Sequence, residues 1–286
     1  MLHKIPQSLL KQLIVLRTPK SLHSVYLIGT AHISKESCTS VKELIDIVRP
    51  RVVFFELCEQ RKHVLEDPEE SVLVEQSFKQ DVTDITSGKA NLFTVVYSKV
   101  IQQLGKDLKS PPGGEFKAGF DAALSCNAAI VLGDRDVQIT VQRVWKGLTF
   151  FEKAHLAYSL LGMLFVRPSN VDLKEMIENV KGNEDLLLST VIEMGELCPW
   201  LVESLIFERD LYMLHTLLKT LEQLEGEEPC DIVAIVGAGH MAGIADRWEK
   251  EIKQPGSELC ENNLLDILKV PGRISDSNQI TLSDLR

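Results

Sequence analysis

Four short apolar runs punctuate this chain, and each stops at glycine or an ionisable residue: Val25-Tyr26-Leu27-Ile28, Val52-Val53-Phe54-Phe55, Ala128-Ala129-Ile130-Val131-Leu132 and Ile232-Val233-Ala234-Ile235-Val236. Continuous β-branched and aromatic runs of this length predict strands buried on both faces of a parallel or mixed sheet. Elsewhere the period is helical. Residues Ser34 to Val48 put Val41, Leu44, Ile45 and Val48 on one face and are stopped by Pro50. With the strand Arg51 to Leu57 behind them, they predict a right-handed parallel crossover. Further helices are predicted over Phe93 to Leu108, Glu115 to Cys126, Pro199 to Leu224 and Met241 to Ile252, with a last short element over Leu264 to Val270. The helix from Pro199 is apolar around most of its circumference, which predicts a central, buried position ended by a cap at Gly226. At the N-terminus, Gln7 to Leu16 reads as an amphipathic helix packed on the sheet. The expected architecture is an α/β domain over residues 25–270 with a central, mostly parallel or mixed sheet and long helical insertions. It lies between an N-terminal helix or arm (1–24) and a polar tail (271–286). A strand-Gly-x-x-His-helix unit near each end raises the expectation of two pseudo-equivalent halves, each with its own strand pair.

Composition narrows the function classes. The chain has 286 residues, and a formal charge of −10 at pH 7 argues against general nucleic-acid binding, which needs clustered Lys and Arg. Six cysteines without a C-x-x-C pair suggest neither a zinc knuckle nor a disulfide framework, so a reducing compartment such as the cytoplasm is the default. No apolar run reaches the roughly 20 residues of a membrane-spanning helix; Ala154 to Val166 comes nearest and reads as a buried or interfacial helix. The first thirty-five residues carry Lys4, Lys11, Arg17, Lys20 and Lys35 and no acid, a bias that resembles organelle targeting. The break at Ser110-Pro111-Pro112-Gly113-Gly114 has no Lys-Ser/Thr after it and no strand before it, so it reads as a helix connection rather than a phosphate loop. A symmetric homodimer is the default oligomer.

The strand ends hold the candidate chemistry. The runs lead into Gly29-Thr30-Ala31-His32, Glu56, Gly133-Asp134-Arg135-Asp136 and Gly237-Ala238-Gly239-His240. Ligand sites of open α/β sheets form where such loops converge. There His32, His240 and Glu56 make a plausible ligand set for a divalent metal, with Asp134 or Asp136 as proton acceptor for an activated water. A metal-free version uses one histidine as general base, Glu56 to orient it and Arg135 to stabilise an oxyanion. The residue types leave both open. Glu208-Arg209-Asp210 interrupts an apolar helix, and a charge turned inward there needs a partner, for which Asp134, Arg135 or Glu56 are candidates. A structural ion-pair network without catalytic duty explains the same pattern. The remaining histidines read as core or surface residues.

Six motifs together resemble the TraB family of TraB/PrgY type: Ile28-Gly29-Thr30-Ala31-His32; Phe55-Glu56-Leu57-Cys58 with Arg61; Pro112-Gly113-Gly114-Glu115-Phe116; Leu132-Gly133-Asp134-Arg135; Glu208-Arg209-Asp210; and Val236-Gly237-Ala238-Gly239-His240. The resemblance spans roughly Val25 to Val270. It implies kinship with Tiki-type proteases and erythromycin-esterase-like folds, hence a metal-dependent hydrolase acting on a peptide or a small amide or ester, with Mn, Co or Zn as cofactor. His32, Glu56 and His240 match the metal set, while Asp134, Arg135 and Arg209 match further motifs. The same resemblance supports a non-catalytic alternative, an adaptor or membrane-contact protein peripherally associated with the mitochondrial or endoplasmic-reticulum surface. Some relatives carry a C-terminal hydrophobic anchor; none follows Val270 here.

Overall fold

The computed structural model describes residues 5–18, 23–30, 35–66, 113–154, 158, 199–224 and 228–268. Among the described residues five strands form one sheet: β1 (Leu13–Arg17), β2 (Ser24–Thr30), β3 (Val52–Phe55), β4 (Ala129–Leu132) and β5 (Asp231–Gly237), in the order β1-β2-β5-β3-β4. Only β1 runs antiparallel, so the expected mostly parallel, mixed sheet is what forms. The last strand in sequence sits at the centre. Consequently the two Gly-x-x-His strands, β2 and β5, are direct neighbours, with Gly29 opposite Val236 and Thr30 opposite Gly237. They share one sheet instead of heading separate strand pairs.

Helices cover both faces. The described ones include α1 (Lys35–Val48), α2 (Gly114–Ser125), α3 (Val137–Gly147), α4 (Glu208–Gln223), α5 (Ala238–Lys253) and α6 (Glu261–Leu268). Strand alternation divides the core. Tyr26, Ile28, Val53, Phe55, Val233 and Ile235 point to the side where α1 and α2 bring Val41, Leu44, Ile45, Phe116 and Ala123. Val25, Leu27, Phe54, Ile232, Ala234 and Val236 meet Met213, Leu214 and Leu217 of α4 and Ile244 and Trp248 of α5 on the other. The chain leaves β2 and β3 toward the first face, and α5, which follows β5, lies on the second. The carboxyl ends of strands whose connections diverge in this way are where α/β folds place their sites.

Two expectations need correction. The N-terminal segment is a single helical turn, Gln7–Leu10, followed by β1, not a helix to Leu16. Leu13-Ile14-Val15-Leu16 is β-branched and apolar, and pairing with β2 satisfies its backbone as well as its side chains. The helix from Pro199 is not central on all sides: a π-helical turn, Glu203–Phe207, separates Pro199–Val202 from α4, Phe207 is exposed, and α4 packs on one face of the sheet. Helix α5 begins at Ala238, three residues earlier than expected, which draws His240 into its first turn. The predicted helix over Phe93 to Leu108, the cap at Gly226, most of Ala154 to Val166 and the tail lie outside the described residues, as does His32. Among the described residues no helix is long and apolar enough to cross a membrane.

Met213 is fully buried between α4 and the sheet. Its replacement by Ala should lower unfolding free energy by about 2–5 kcal/mol, the cost of a core cavity, read from urea denaturation.

Candidate functional site

The β3 backbone runs one residue past the strand before its side chain becomes chemistry. Glu56 N–H donates to Ile235 O at 3.0 Å, so Glu56 keeps strand register and its carboxylate turns toward the end of β5. There Oε2 accepts a 2.6 Å bond from Gly237 N, the residue that caps the N-terminus of α5. A helix N-terminus favours an anion in that place. On the other side, Gly133 N and Asp134 N donate to Phe55 O and Leu57 O at 2.9 and 3.1 Å, which carries the β3–β4 ladder on to Asp134.

Arg209, near the start of α4, joins these ends. Its Nε donates to both Asp134 oxygens at 3.0 and 3.2 Å, and Nη2 donates to Asp134 Oδ2 at 2.8 Å and to Glu56 Oε1. Nη1 donates to Leu205 O of the π-helical turn at 3.1 Å. The guanidinium is thus clamped between two carboxylates that would otherwise repel, and they raise its pKa despite the opposing effect of burial. His240 completes the cluster. Its Nε2 lies 3.1 Å from Glu56 Oε1, and its Nδ1 lies 2.6 Å from Asp210 Oδ1.

A neutral imidazole can donate from only one nitrogen, yet both ring nitrogens here face carboxylate oxygens. Burial opposes the charged form, but Glu56 and Asp210 outweigh it and raise the pKa of His240 to about 9. Burial also pushes the Asp210 carboxyl up, and the bond to His240 pulls it partly back. The imidazolium carries the proton because it alone satisfies two acceptors.

The three consecutive charges of α4 point three ways, as a 100° step demands. Arg209 and Asp210 serve the strand ends, while Glu208 turns to a second cluster. There it receives bonds from Arg135 Nη1 at 2.7 Å and from Arg143 Nε at 2.7 Å and Nη2. Arg135 also donates to Thr140 Oγ1, Ser204 O and Ile267 O, and its exposure is 0%. The structure therefore brings Glu56, Asp134, Arg209 and His240 together and sends the Arg135 guanidinium elsewhere, to Glu208, Ser204 O and Ile267 O. Asp136 is also separate: it caps α3 through Gln138 N at 2.7 Å and accepts from Gln60 Nε2. His32 is two residues beyond β2 and outside the described residues. The two motifs nevertheless touch, since a Cβ on Gly29 would fall 2.1 Å from Met241 Sδ and 3.2 Å from Ala238 Cα.

Asp210 and the Gly237 amide escaped the sequence reading. The signal for Asp210 is the charged triplet in an apolar helix, but nothing in the triplet itself points to His240 as its partner. Among the described residues no group of three or more His, Cys, Asp or Glu is spaced to hold a metal. His23 and His215 lie apart from the cluster; His23 bridges Cys230 N and Leu224 O at the opposite end of the sheet.

The sequence profile described as the TraB/PrgY/gumN family matches residues 15–256. The human protein called "TraB domain-containing protein" is 30% identical to this chain over 275 residues, covering 88% of this chain and 68% of its own length, and the mouse protein matches to the same extent. An uncharacterized protein of Methanocaldococcus jannaschii is 28% identical over 255 residues, 87% of this chain and 58% of its own.

Replacing Arg209 with Met should destabilise the fold by about 3–5 kcal/mol, because two buried carboxylates lose their shared cation; chemical denaturation reads this. His240 gives a pH dependence. Its folded pKa, about 9, exceeds the unfolded value near 6.5, so its stabilisation is complete below pH 6.5 and disappears as pH rises through 9. Wild-type stability should decline over that window, and His240→Gln should flatten the decline.

Proposed function

Because this chain belongs to the TraB/PrgY/gumN family, we propose that its strand-end cluster is a hydrolytic site for peptide, amide or ester bonds, one that works with a divalent cation such as Mn2+, Co2+ or Zn2+. The observation that carries this reading is the line Asp210–His240–Glu56. A metal-ligating histidine commonly donates its other ring N–H to a carboxylate, as Nδ1 does to Asp210. Two side-chain ligands each about 2.0–2.2 Å from one cation stand roughly 3 Å apart, and Nε2 and Glu56 Oε1 are 3.1 Å apart. Charge agrees as well. With Glu56, Asp134 and Asp210 ionised against Arg209 and protonated His240, the cluster sums to −1, and replacing the Nε2 proton with a divalent ion brings it to zero.

In this reading Glu56 and His240 are ligands and His32 is the third. When bound, the cation supplies an activated water and polarises the scissile carbonyl. The rest of the work belongs to the chain. Gly237 N–H and Arg209 fix the Glu56 carboxylate, Asp210 fixes the imidazole, and Asp134 holds Arg209 against Glu56 with both oxygens. In this reading Arg135 has a structural part: it ties α6 and the π-helical turn to Glu208.

A specific observation favours a second reading. Glu56, Asp134 and Arg209 find strong partners within the chain itself, as a structural network of a non-catalytic adaptor at a mitochondrial or endoplasmic-reticulum surface would require.

Titration of chelator-treated protein with Mn2+, Co2+ and Zn2+ separates the two. For the hydrolytic site, melting temperature should rise with one of these ions, corresponding to about 2.7 kcal/mol at a hundredfold excess over Kd. His32→Ala and His240→Ala should abolish that rise, together with hydrolysis of fluorogenic peptide and ester panels. If folded variants keep wild-type metal content, the hydrolytic reading fails and the adaptor stands.

A further inference from the structure

Asp210 holds His240 with one oxygen only. Its residue exposure is 0%, and Oδ2 is buried with no hydrogen-bond partner among the described residues. That oxygen faces Gly243, one helical turn beyond His240 on α5: a Cβ built on Gly243 would lie 1.9 Å from Asp210 Oδ2 and 2.9 Å from its Cγ, but an ordinary 3.6 Å from its Cβ. The carboxylate thus occupies the space where a side chain would stand. Asp has too few torsions to retreat while keeping the 2.6 Å bond to Nδ1. Gly239, on the same helix and next to His240, contrasts with it: a Cβ there meets nothing within 4 Å. A glycine in a helix interior costs stability, so one kept against a buried carboxylate needs a steric reason.

We propose that Gly243 is a positioning residue for the strand-end site: its missing side chain lets the Asp210 carboxylate lie against α5 and hold the His240 ring with Nε2 directed at Glu56. Gly243 acts through Asp210, whose atoms are the nearest that a Cβ there would meet. The inference rests on the proposed function only in treating His240 as the working imidazole, and its test reads that ring directly. Any side chain at position 243 displaces the carboxylate. The imidazole then loses its Nδ1 acceptor and its fixed orientation.

The test compares Gly243→Ala, Gly239→Ala and Asp210→Ala by nuclear magnetic resonance of histidine-labelled protein. The Nδ1–H signal of His240, moved downfield by its short bond, should persist in Gly239→Ala and vanish in Gly243→Ala and Asp210→Ala while α5 remains helical. If the protein binds Mn2+, Gly243→Ala should weaken that binding about 10–100-fold, as loss of an outer-shell partner does. A failure of all variants and of wild type to bind Mn2+ would count against the metal site and leave the imidazole signal to decide this inference. Poor folding of Gly243→Ala is covered by a second comparison. The double variant Asp210→Ala/Gly243→Ala should melt no lower than Asp210→Ala, since the Cβ–Cβ distance is ordinary and alanine favours the helix, whereas Gly243→Ala alone melts below wild type. An unchanged Nδ1–H signal in Gly243→Ala, or equal destabilisation with and without the Asp210 carboxylate, overturns the proposal.

Discussion

One guanidinium organises the carboxyl end of this sheet. Adjacent strands β3 and β4 deliver Glu56 and Asp134 to the same edge, and two buried carboxylates that close need a cation between them. Neither strand supplies it. Arg209 reaches in from α4, so that helix must dock in a single rotational setting before the strand ends become electrostatically acceptable. Docking α4 also delivers Asp210 to His240 and Glu208 to Arg135 and Arg143, because consecutive helical residues diverge by 100°. The tertiary position of α4, the ionisation of the cluster and the orientation of the imidazole are therefore one event.

The π-helical turn before α4 belongs to the same logic. Such turns insert a residue into the helical register and are frequent at functional sites. Here Leu205 O of the turn accepts from Arg209, and Ser204 O accepts from Arg135. The irregular backbone thus serves arginines of both clusters. Through Arg135 and Arg143, which also donate to Ile267 O and Asp266 O, the end of α6 is tied to the helix that carries the site.

Strand positions, the crossover helix α1 and the gathering of Glu56, Asp134 and His240 were legible in the sequence because they rest on local pattern: apolar runs ending in glycine or an acid announce their own geometry. What depended on long-range pairing was not legible. β1 reads as a helix because Gln7 to Leu16 is apolar at helical spacing, and only the open edge of β2 converts Leu13-Ile14-Val15-Leu16 into a strand. The order β2-β5-β3 was hidden for the same reason, since nothing near Ile232 says that the last strand inserts between the first two parallel ones. Arg135 follows Asp134 directly, and adjacency suggested a shared site; residues at successive positions after a strand point apart, and Arg135 found Glu208 instead. Asp210 was visible as a charge in an apolar helix, but its partner lies thirty residues later on α5.

Stability alone does not account for such a cluster. Replacing a buried ion pair by apolar residues of similar volume is often neutral or stabilising, so burying five ionisable groups at one sheet edge gives little net advantage over a packed core. An arginine between two carboxylates could still be explained as a lock that specifies how α4 docks. The histidine is harder to explain in that way. His240 adds a weakly basic ring where Arg or Lys would neutralise Glu56 more strongly, and it is braced from behind by an acid whose other oxygen has no partner among the described residues. The ring is held at one nitrogen by Asp210 and aimed with the other at a carboxylate that is itself fixed. Loss of a proton from a pair otherwise held rigid by Gly237, Arg209 and Asp210 leaves a nitrogen and an oxygen donor already at ligand spacing. On the proposed hydrolytic reading, that preorganisation, rather than the number of ion pairs, is what a cation would use.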